Sequence, residues 1–345
     1  MPFTLGPRAA SAGYRLAAFD RIGSTNAEAM LRARAGESGP IWLVTSEQTA
    51  GRGRRFRPWI APCGNLASSI LEVIDVAPAA AATLGFAAGL ALDSALRKLS
   101  VEAALRMAGS EGLNFSLKWP NDVLAGGKKL AGILLEAEAV VGGGLAVVVG
   151  IGTNVVGAPE GTPTPATSLR ALGIEVSAED LFGALSDGWA EFRGIWNDGE
   201  GFPEIRRLWL ERAAGLGKPV SIKSGETLIE GTFDTIDEQG CMIVRTAAGG
   251  RVPVTAGETH ATRSPLLSLL SGSCSRKRVG WRSNGHCGVS APATRPSGPG
   301  ANTMRSSPRT GWWRARWSAP GKRSCAPWKR SNRNTSGGAA RSRLS

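Results

Sequence analysis

The sequence predicts an α+β protein in which a mixed-sheet catalytic domain is followed by a small β module. Strand-like and helix-like runs alternate before residue 215. From Lys218 onward the apolar residues recur with period two, and short glycine-containing turns separate the runs. After Glu258 all acidic residues disappear. We therefore expect a catalytic domain over residues 1–214, a β module over 215–258 and a basic, low-complexity tail over 259–345.

Local signals set the individual elements. Thr25 and Glu28 have the spacing of a capping box, which predicts a helix that runs to Arg34. Pro78 opens an alanine- and leucine-rich helix that we expect to reach Leu99. The other predicted elements are strands at 41–45, 66–73, 115–118, 129–140 and 145–151, helices at 177–196 and 203–213, and short strands at 220–222, 228–236, 242–246 and 251–255.

The formal charge of +13 is concentrated in the tail. Residues 1–258, here called the body, contain 24 basic and 28 acidic residues, whereas the tail contains 17 basic residues and no acidic residue. Three interpretations of the tail stay open. It is a nucleic-acid-binding arm with tryptophans among its arginines, a disordered extension, or the translation product of a frameshift in GC-rich DNA.

Composition excludes several functions for the body. Both histidines, His260 and His286, lie in the tail, so a Ser-His-Asp triad and a histidine metal site are excluded from the body. The five cysteines form no CxxC pair, which favours a reducing cytoplasm over a disulfide framework. Neither a run of about eighteen apolar residues nor a signal-peptide pattern occurs, so we expect no membrane span and no secretion.

Two basic motifs point to a site for anionic ligands. The run Gly51–Arg55 places three arginines and two glycines in a polar loop. Glycines let a backbone approach a ligand closely, and guanidinium groups bind carboxylate or phosphate at two points. Lys118 ends a predicted strand just before a Trp-Pro-Asn-Asp turn, where it suits a contact to an anionic oxygen. Taken singly, a solvated basic loop and a surface salt bridge explain these motifs as well.

Two glycine motifs follow. Gly132 interrupts an apolar strand, which predicts that a flat ligand or another backbone lies close to it. A Gly-Ile-Gly-Thr-Asn run ends the next strand at Asn154, and the prolines after it argue against the helix that a dinucleotide fingerprint requires. An ordinary turn and a strand end that presents Asn154 to a nucleobase both stay open.

In combination these motifs resemble the biotin protein ligase family, of the monofunctional type without an N-terminal DNA-binding domain. The motifs are, in order, Ser24-Thr25-Asn26, Gln48 with Gly51–Arg55, and the runs 118–122, 129–134 and 150–154. The resemblance covers about residues 14–258, and its C-terminal part is similar to that family's SH3-like domain. It implies ATP-dependent transfer of biotin to a lysine of a biotin carboxyl carrier domain through biotinyl-5′-adenylate. Biotin and magnesium-ATP would be the small-molecule substrates.

The resemblance also implies residue roles. Lys118 and Arg54 would be the catalytic cations, and Asp122 would contact the magnesium of magnesium-ATP. Residues implied to bind biotin are Ser24, Thr25, Asn26, Gln48, Gly51, Arg52, Arg54, Lys118 and Gly132. Residues implied to bind the adenylate are Arg54, Arg55, Trp59, Lys118, Asn121, Lys129 and Asn154.

One position departs from the family's pattern. That pattern usually has glycine after the double arginine, where this chain has Phe56. A positive φ at this position would strain phenylalanine by about 1–3 kcal/mol. The catalytic region begins near Tyr14, so we expect no helix-turn-helix before it and no specific DNA binding by the body. The resemblance allows a homodimer.

Two alternative functions stay open. A lipoate ligase or octanoyltransferase shares the catalytic architecture, and a transferase would need a cysteine nucleophile, for which Cys63 is the candidate near the site. A nucleic-acid-binding protein acting through the tail belongs to a different class. Removal of residues 259–345 would discriminate, because ligase activity would survive it and nucleic-acid affinity would not.

Overall fold

The computed structural model describes residues 2–107, 114–162, 164–224, 226–255 and 258–261. The three interpretations of the tail concern residues after 261 and lie outside this set. The helices are α1 (Pro7–Ser11), α2 (Thr25–Arg34), α3 (Pro78–Ala82), α4 (Leu84–Met107), α5 (Ala178–Trp196) and α6 (Phe202–Leu210). The strands are β1 (Arg15–Phe19), β2 (Ile41–Thr45), β3 (Leu66–Ile74), β4 (Phe115–Lys118), β5 (Asp122–Ala125), β6 (Lys128–Ala139), β7 (Leu145–Thr153), β8 (Pro219–Ser224), β9 (Thr227–Ile236), β10 (Met242–Arg245), β11 (Arg251–Val254) and β12 (Glu258–Ala261).

The predicted capping box at the start of α2 is wrong. The N-cap is Ser24, whose hydroxyl accepts a hydrogen bond from the backbone N–H of Ala27 at 3.3 Å. Thr25 instead donates its hydroxyl to Gln48, and Glu28 pairs with Arg32 one turn later. The cap position one residue earlier therefore leaves the Thr25 side chain available for the site.

The predicted helix from Pro78 to Leu99 is divided into two. Thr83 lies between α3 and α4, where its hydroxyl donates to the carbonyl of Ala80 at 2.6 Å and accepts from the indole of Trp196 at 2.7 Å. Hydrogen bonding to a nearby carbonyl is how a threonine competes with the helical backbone. The second helix, α4, continues to Met107, beyond the predicted end.

The strands form two sheets. The larger sheet has the order β1-β2-β3-β7-β6-β5-β4, and it is mixed because β1 pairs with β2 in parallel while the other pairs are antiparallel. The smaller sheet is antiparallel with the order β11-β10-β9-β8-β12. Strand β12 extends to Ala261, so the change in composition at Glu258 falls inside a strand that pairs with β8.

The two faces of the larger sheet are covered unequally. One face packs against α4, α5 and α6 in a core that also includes residues of the smaller sheet. On the other face, only α2 provides a small apolar cluster, over Leu71, Ala146 and Val148. Side chains alternate between the faces of a strand, so Gly150 and Gly152 follow Val148 on this second face. The uncovered half of this face becomes the site.

Helix α4 is part of the core. The segment Pro78–Glu102 is long and apolar enough to cross a membrane by length and composition, but 72 % of its most apolar window is buried inside the protein. Its apolar residues pack against α5 and the larger sheet. Protein packing therefore accounts for its hydrophobicity.

A buried carboxylate joins α4 to β4. The Asp93 carboxylate accepts hydrogen bonds from Nε of Arg97 at 2.7 Å and Nε of Arg212 at 3.1 Å. Arg97 also donates to the carbonyl of Phe115, and the carbonyl of Arg212 accepts from the N–H of Leu117. Asp93 thus holds both sides of the strand that leads into the Trp-Pro-Asn-Asp turn.

We predict that Asp93→Asn lowers the free energy of unfolding by about 2 kcal/mol, because the shared acceptor of two charge-assisted hydrogen bonds loses its charge. The matched control is Glu28→Gln, which changes another acid–arginine pair of this spacing, at a more exposed position on α2. That change is expected to cost less than about 0.5 kcal/mol. Urea unfolding of the variants measures both values, and equal losses would contradict the assigned role of Asp93.

Candidate active site

A cavity of about 360 Å³ lies over the uncovered half of the larger sheet. Its size is within the range of small-molecule sites. Of the residues that the sequence singles out, the cavity is lined by Ser24, Thr25, Asn26, Gln48, Arg52, Arg54, Arg55, Trp59, Lys118, Asn121, Asp122, Lys129, Gly132 and Asn154. Gly51 is not a lining residue; it lies at the base of the basic loop, close to the Gln48 amide and the carbonyl of Trp59. The structure thus brings almost the whole set together.

The floor of the cavity is a lateral row of small residues across the sheet. Ala67, Gly152 and Gly132 are direct cross-strand partners, and the row continues through Asp122 to Lys118. Neighbouring strands lie about 4.8 Å apart, so Lys118 lies about 14 Å along the row from Gly152. A floor without side chains, with a lysine at its end, can hold a flat molecule whose charged group reaches the lysine.

The indole of Trp59 lies on this floor. A Cβ at Gly152 would come within 2.7 Å of the indole, and one at Gly132 would come within 3.2 Å of it. The sequence predicted a flat ligand or another backbone against Gly132; in this structure an aromatic side chain of the protein lies there. The ammonium of Lys129 lies 5.4 Å from the centre of the ring, which is a cation–π distance.

One end of the cavity is built by the first turn of α2. Both the backbone N–H and the hydroxyl of Thr25 donate to the side-chain oxygen Oε1 of Gln48, at 2.9 and 3.1 Å. Asn26 spans three strands, because its carbonyl oxygen accepts from Ser69 at 2.6 Å and its amide donates to Glu136 at 2.9 Å. It crosses directly over Gly150, where any Cβ would overlap its oxygen. This end therefore offers hydroxyl and amide groups already fixed in place.

The basic loop folds as a lid. Its two sides pair through a bridge between Arg52 and Pro58 and a hydrogen bond of 2.9 Å from the N–H of Trp59 to the carbonyl of Gly51. Arg54 near the tip donates to the side-chain oxygen of Asn121 at 2.9 Å. The Asn121 amide and backbone are in turn hydrogen-bonded to Ile133 of β6. The lid is thus fastened to the far side of the cavity.

The strained position of the lid is Arg55, not Phe56. Arg55 has φ 57° and ψ 32°, inside a single turn of 3₁₀ helix over Arg54–Phe56. The left-handed residue is therefore the second arginine, and the strain considered for Phe56 does not arise. Left-handed backbone costs a non-glycine residue about 1 kcal/mol or more, and such strain often occurs at ligand clamps.

The Asp122 carboxylate has a lysine partner. Its Oδ1 lies 2.7 Å from the ammonium of Lys129, and its cross-strand neighbour is Lys118. Besides the magnesium contact that the sequence implied for Asp122, the structure gives this carboxylate an ion pair with Lys129.

The Lys118 strand is also fastened to the smaller sheet. Trp119 is fully buried, and its indole N–H donates to the carbonyl of Gly240 at 3.1 Å. Gly240 lies in the turn between β9 and β10, close to the ring of Phe86. The smaller sheet therefore helps to fix the backbone beside Lys118.

Sequence reasoning missed several residues of the site. Ser69 and Glu136 anchor Asn26, Asn65 and Thr167 surround Asn154, and the wall opposite the lid comes from Pro159, Thr162, Thr164 and Ala166. None of these residues stands out in the sequence. Ser69 and Glu136 lie in strands that hold other polar residues, such as Glu72 in β3 and Glu138 in β6, and the described wall residues lie outside the helices and strands.

Family models assign the two parts of the chain to a class of ligases. Residues 18–154 match the model described as "Biotin/lipoate A/B protein ligase family", and residues 215–258 match "Biotin protein ligase C terminal domain".

Individual relatives narrow this class. A biotin--[acetyl-CoA-carboxylase] ligase of Paracoccus denitrificans is 41% identical over 238 residues, covering 67% of this chain and 95% of that protein. One of Mycobacterium tuberculosis is 36% identical over 259 residues, covering 72% and 90%. The solved structure of the Aquifex aeolicus biotin protein ligase with biotin and ATP matches with a TM-score of 0.58 and 26% identity, over 72% of this chain and 99% of that one. The chain belongs to the biotin protein ligase family.

We predict that Asn121→Ala loosens the lid. Loss of the acceptor for Arg54 removes a charge-assisted hydrogen bond worth about 1.5–3 kcal/mol, so amide exchange of Gly53 and Trp59 should accelerate about tenfold or more. Hydrogen–deuterium exchange of the peptide covering residues 50–60 measures this. Gln239→Ala, at an exposed position on the smaller sheet, is the control. Unchanged exchange in Asn121→Ala would show that this bond does not hold the lid.

Proposed function

We propose that this chain is an ATP-dependent biotin protein ligase that forms biotinyl-5′-adenylate and transfers the biotinyl group to a lysine of a carrier domain. The observation that carries the proposal is the row of small residues Ala67–Gly152–Gly132, which has the Trp59 indole and the basic lid over it and leads through Asp122 to Lys118. Membership of the family and likeness to a ligase solved with biotin and ATP support it.

The first step needs positive charge rather than a protein nucleophile. A carboxylate oxygen of biotin attacks the α-phosphorus of ATP, a P–O bond forms, and pyrophosphate leaves with the electron pair of the broken P–O bond. Both reactants are anions, so cations that offset the charge of the transition state lower the barrier. Arg54 and Lys118 are the cations that we assign to this task. The absence of histidine from the body is compatible with such chemistry.

The second step uses a nucleophile from the partner. The amine of a carrier lysine attacks the acyl carbon of the adenylate, an amide bond forms, and AMP leaves with the electron pair of the acyl–oxygen bond. The lid that covers the adenylate keeps water from competing with the amine. Because the curated relatives are named acetyl-CoA-carboxylase ligases, we assign a biotin carboxyl carrier domain as the partner. We place the reaction in the cytoplasm, in keeping with the free thiols Cys63 and Cys241.

The two ends of the cavity suit the two substrates. We assign biotin to the end built by Ser24, Thr25, Asn26 and Gln48, where fixed hydroxyl and amide groups can hydrogen-bond a polar ring. We assign the adenylate to the region of Trp59, Lys129 and Asn154, where an aromatic face and an amide can receive a base. Arg52, Arg55, Asn121, Gly51 and Gly132 complete the assignment as lid and floor.

Magnesium fits this site only as part of magnesium-ATP. Among the described residues no group of three or more His, Cys, Asp or Glu side chains could cage a metal ion. Asp122 is paired with Lys129 and is the carboxylate that we assign to the metal. Magnesium is commonly held by one or two carboxylates together with substrate phosphates, so this donor set is sufficient.

Neither of the two cysteines in the described part of the chain suits the transferase alternative. Cys63 is exposed on the loop between β2 and β3 and does not line the cavity. Cys241 is buried in the smaller sheet, and burial, with the nearby Asp237 carboxylate, raises the pKa of its thiol to about 11. A thiolate nucleophile requires a lowered pKa.

We predict that Lys118→Ala lowers biotin-dependent ATP–pyrophosphate exchange by about a hundredfold or more, the effect of removing one preorganised electrostatic contact. The control is Cys63→Ser, which should retain nearly wild-type exchange. Exchange that survives Lys118→Ala would remove this lysine from the mechanism. Loss of activity in Cys63→Ser would instead revive a transferase.

A further inference from the structure

Asn65 organises the strand end at the far side of the cavity. Its side chain is 2 % exposed, and its carbonyl oxygen accepts three consecutive backbone N–H groups, from Val155 and Val156 at 2.9 Å and from Gly157 at 3.2 Å. Its amide donates to the carbonyl of Gly157 at 2.8 Å and to the side-chain oxygen of Asn154 at 3.5 Å. Three donors on one side and two acceptors on the other fix which way the Asn65 amide is turned.

The fixed Asn65 amide in turn orients the side chain of Asn154. The side-chain oxygen of Asn154 accepts from Asn65, and its amide donates to the backbone carbonyl of Thr167 at 3.1 Å. Asn154 is 1 % exposed and lines the cavity. A carboxamide offers two acceptor and two donor positions, so these hydrogen bonds of the described residues use one of each. One acceptor and one donor, in a fixed order, are left for a ligand.

A fixed acceptor and donor can distinguish purines. Adenine presents a donor (N6–H) beside an acceptor (N7), which a carboxamide matches in two-point fashion. Guanine presents two acceptors (O6 and N7) along the same edge, so one of them would face the carboxamide oxygen. Turned the other way, the carboxamide would oppose adenine at both points and would still match one acceptor of guanine. The orientation of Asn154 therefore decides how strongly it favours adenine.

We propose that Asn65 is a specificity-determining positioning residue, which holds the Asn154 amide in the orientation that selects ATP over GTP. The inference rests on the proposed function, in which Asn154 meets the nucleobase. Asn65 acts through Asn154 and is not itself a catalytic residue.

A purely structural role for Asn65 makes a different prediction. The three N–H groups that it accepts would hold the turn 155–157 whatever the orientation of Asn154. A looser turn would impair ATP and GTP alike and leave their ratio unchanged. Asn65→Asp separates the two roles through the ATP-to-GTP ratio. Aspartate keeps the acceptor for all three N–H groups, an arrangement that stabilises a carboxylate. It places an acceptor where Asn65 donates to the Gly157 carbonyl and to the Asn154 oxygen. The change at Gly157 affects both nucleotides alike, whereas the change at Asn154 alters the ratio.

The test is biotin-dependent pyrophosphate exchange of the full chain and of Asn65→Asp, with ATP and with GTP. We expect kcat/KM for ATP to fall at least tenfold and the ATP-to-GTP ratio to fall at least tenfold, while biotin binding without nucleotide stays within twofold of wild type. An unchanged ATP-to-GTP ratio would overturn the proposal. If Asn65→Asp does not bind biotin, Asn65→Ser, which has no donor long enough to reach Asn154, is measured instead. A freely turning amide can still match adenine, so a smaller fall of the ATP-to-GTP ratio is expected, and an unchanged ratio again overturns the proposal.

Asn154→Ala separates this proposal from the function beneath it. If Asn154→Ala loses nucleotide selectivity and Asn65→Asp keeps it, Asn154 reads the base without help from Asn65 and the proposal fails alone. If Asn154→Ala keeps full selectivity and an unchanged KM for ATP, the nucleobase contact is elsewhere and both assignments fail. Absence of exchange in the wild-type chain would overturn the ligase function itself.

Discussion

The site depends on glycines that share one face of two central strands, β6 and β7. Gly132 and Gly152 face each other across β6 and β7, and Gly150 lies two residues before Gly152 on the same face. A side chain at Gly152 would collide with the Trp59 indole, which lies on the strands. A side chain at Gly150 would collide with Asn26, which crosses them. The same bare backbone that admits these groups makes room for substrate. Helix α2 packs over Leu71, Ala146 and Val148, so the cavity begins beyond them, at the glycines.

Charge is brought to this floor from separate parts of the chain. Arg54 reaches it from the lid, where it donates to Asn121. Lys118 lies at the end of the lateral row, on a strand held by Asp93 on one side and, through the Trp119 indole, by Gly240 of the smaller sheet on the other. Electrostatic catalysis is effective when charges are held in place before the reaction. The contacts of Asp93 and Trp119 that stabilise the core therefore also fix the position of Lys118.

The sequence predicted much of this arrangement, for reasons that are local. Glycine runs, the Arg-rich loop and the Lys118 turn each carry a chemical signal, and the strands that hold them have apolar runs of ordinary length. What it could not predict came from tertiary contacts. Nothing local shows that Trp59 lies on Gly152, that Asp122 pairs with Lys129, or that Thr83 divides a helix by bonding to Trp196. The positive φ at Arg55 instead of Phe56 likewise depends on how the lid closes.

The central claim is that the bare floor creates the substrate site, and Gly150→Ala tests it most directly. A methyl group at this position would overlap the side-chain oxygen of Asn26 and displace the residue that joins α2 to β3 and β6. Gly194→Ala, on α5 with open space around it, is the control. Titration calorimetry with biotin is predicted to show at least a tenfold loss of affinity in Gly150→Ala and none in Gly194→Ala. Wild-type affinity in a folded Gly150→Ala variant would contradict the account.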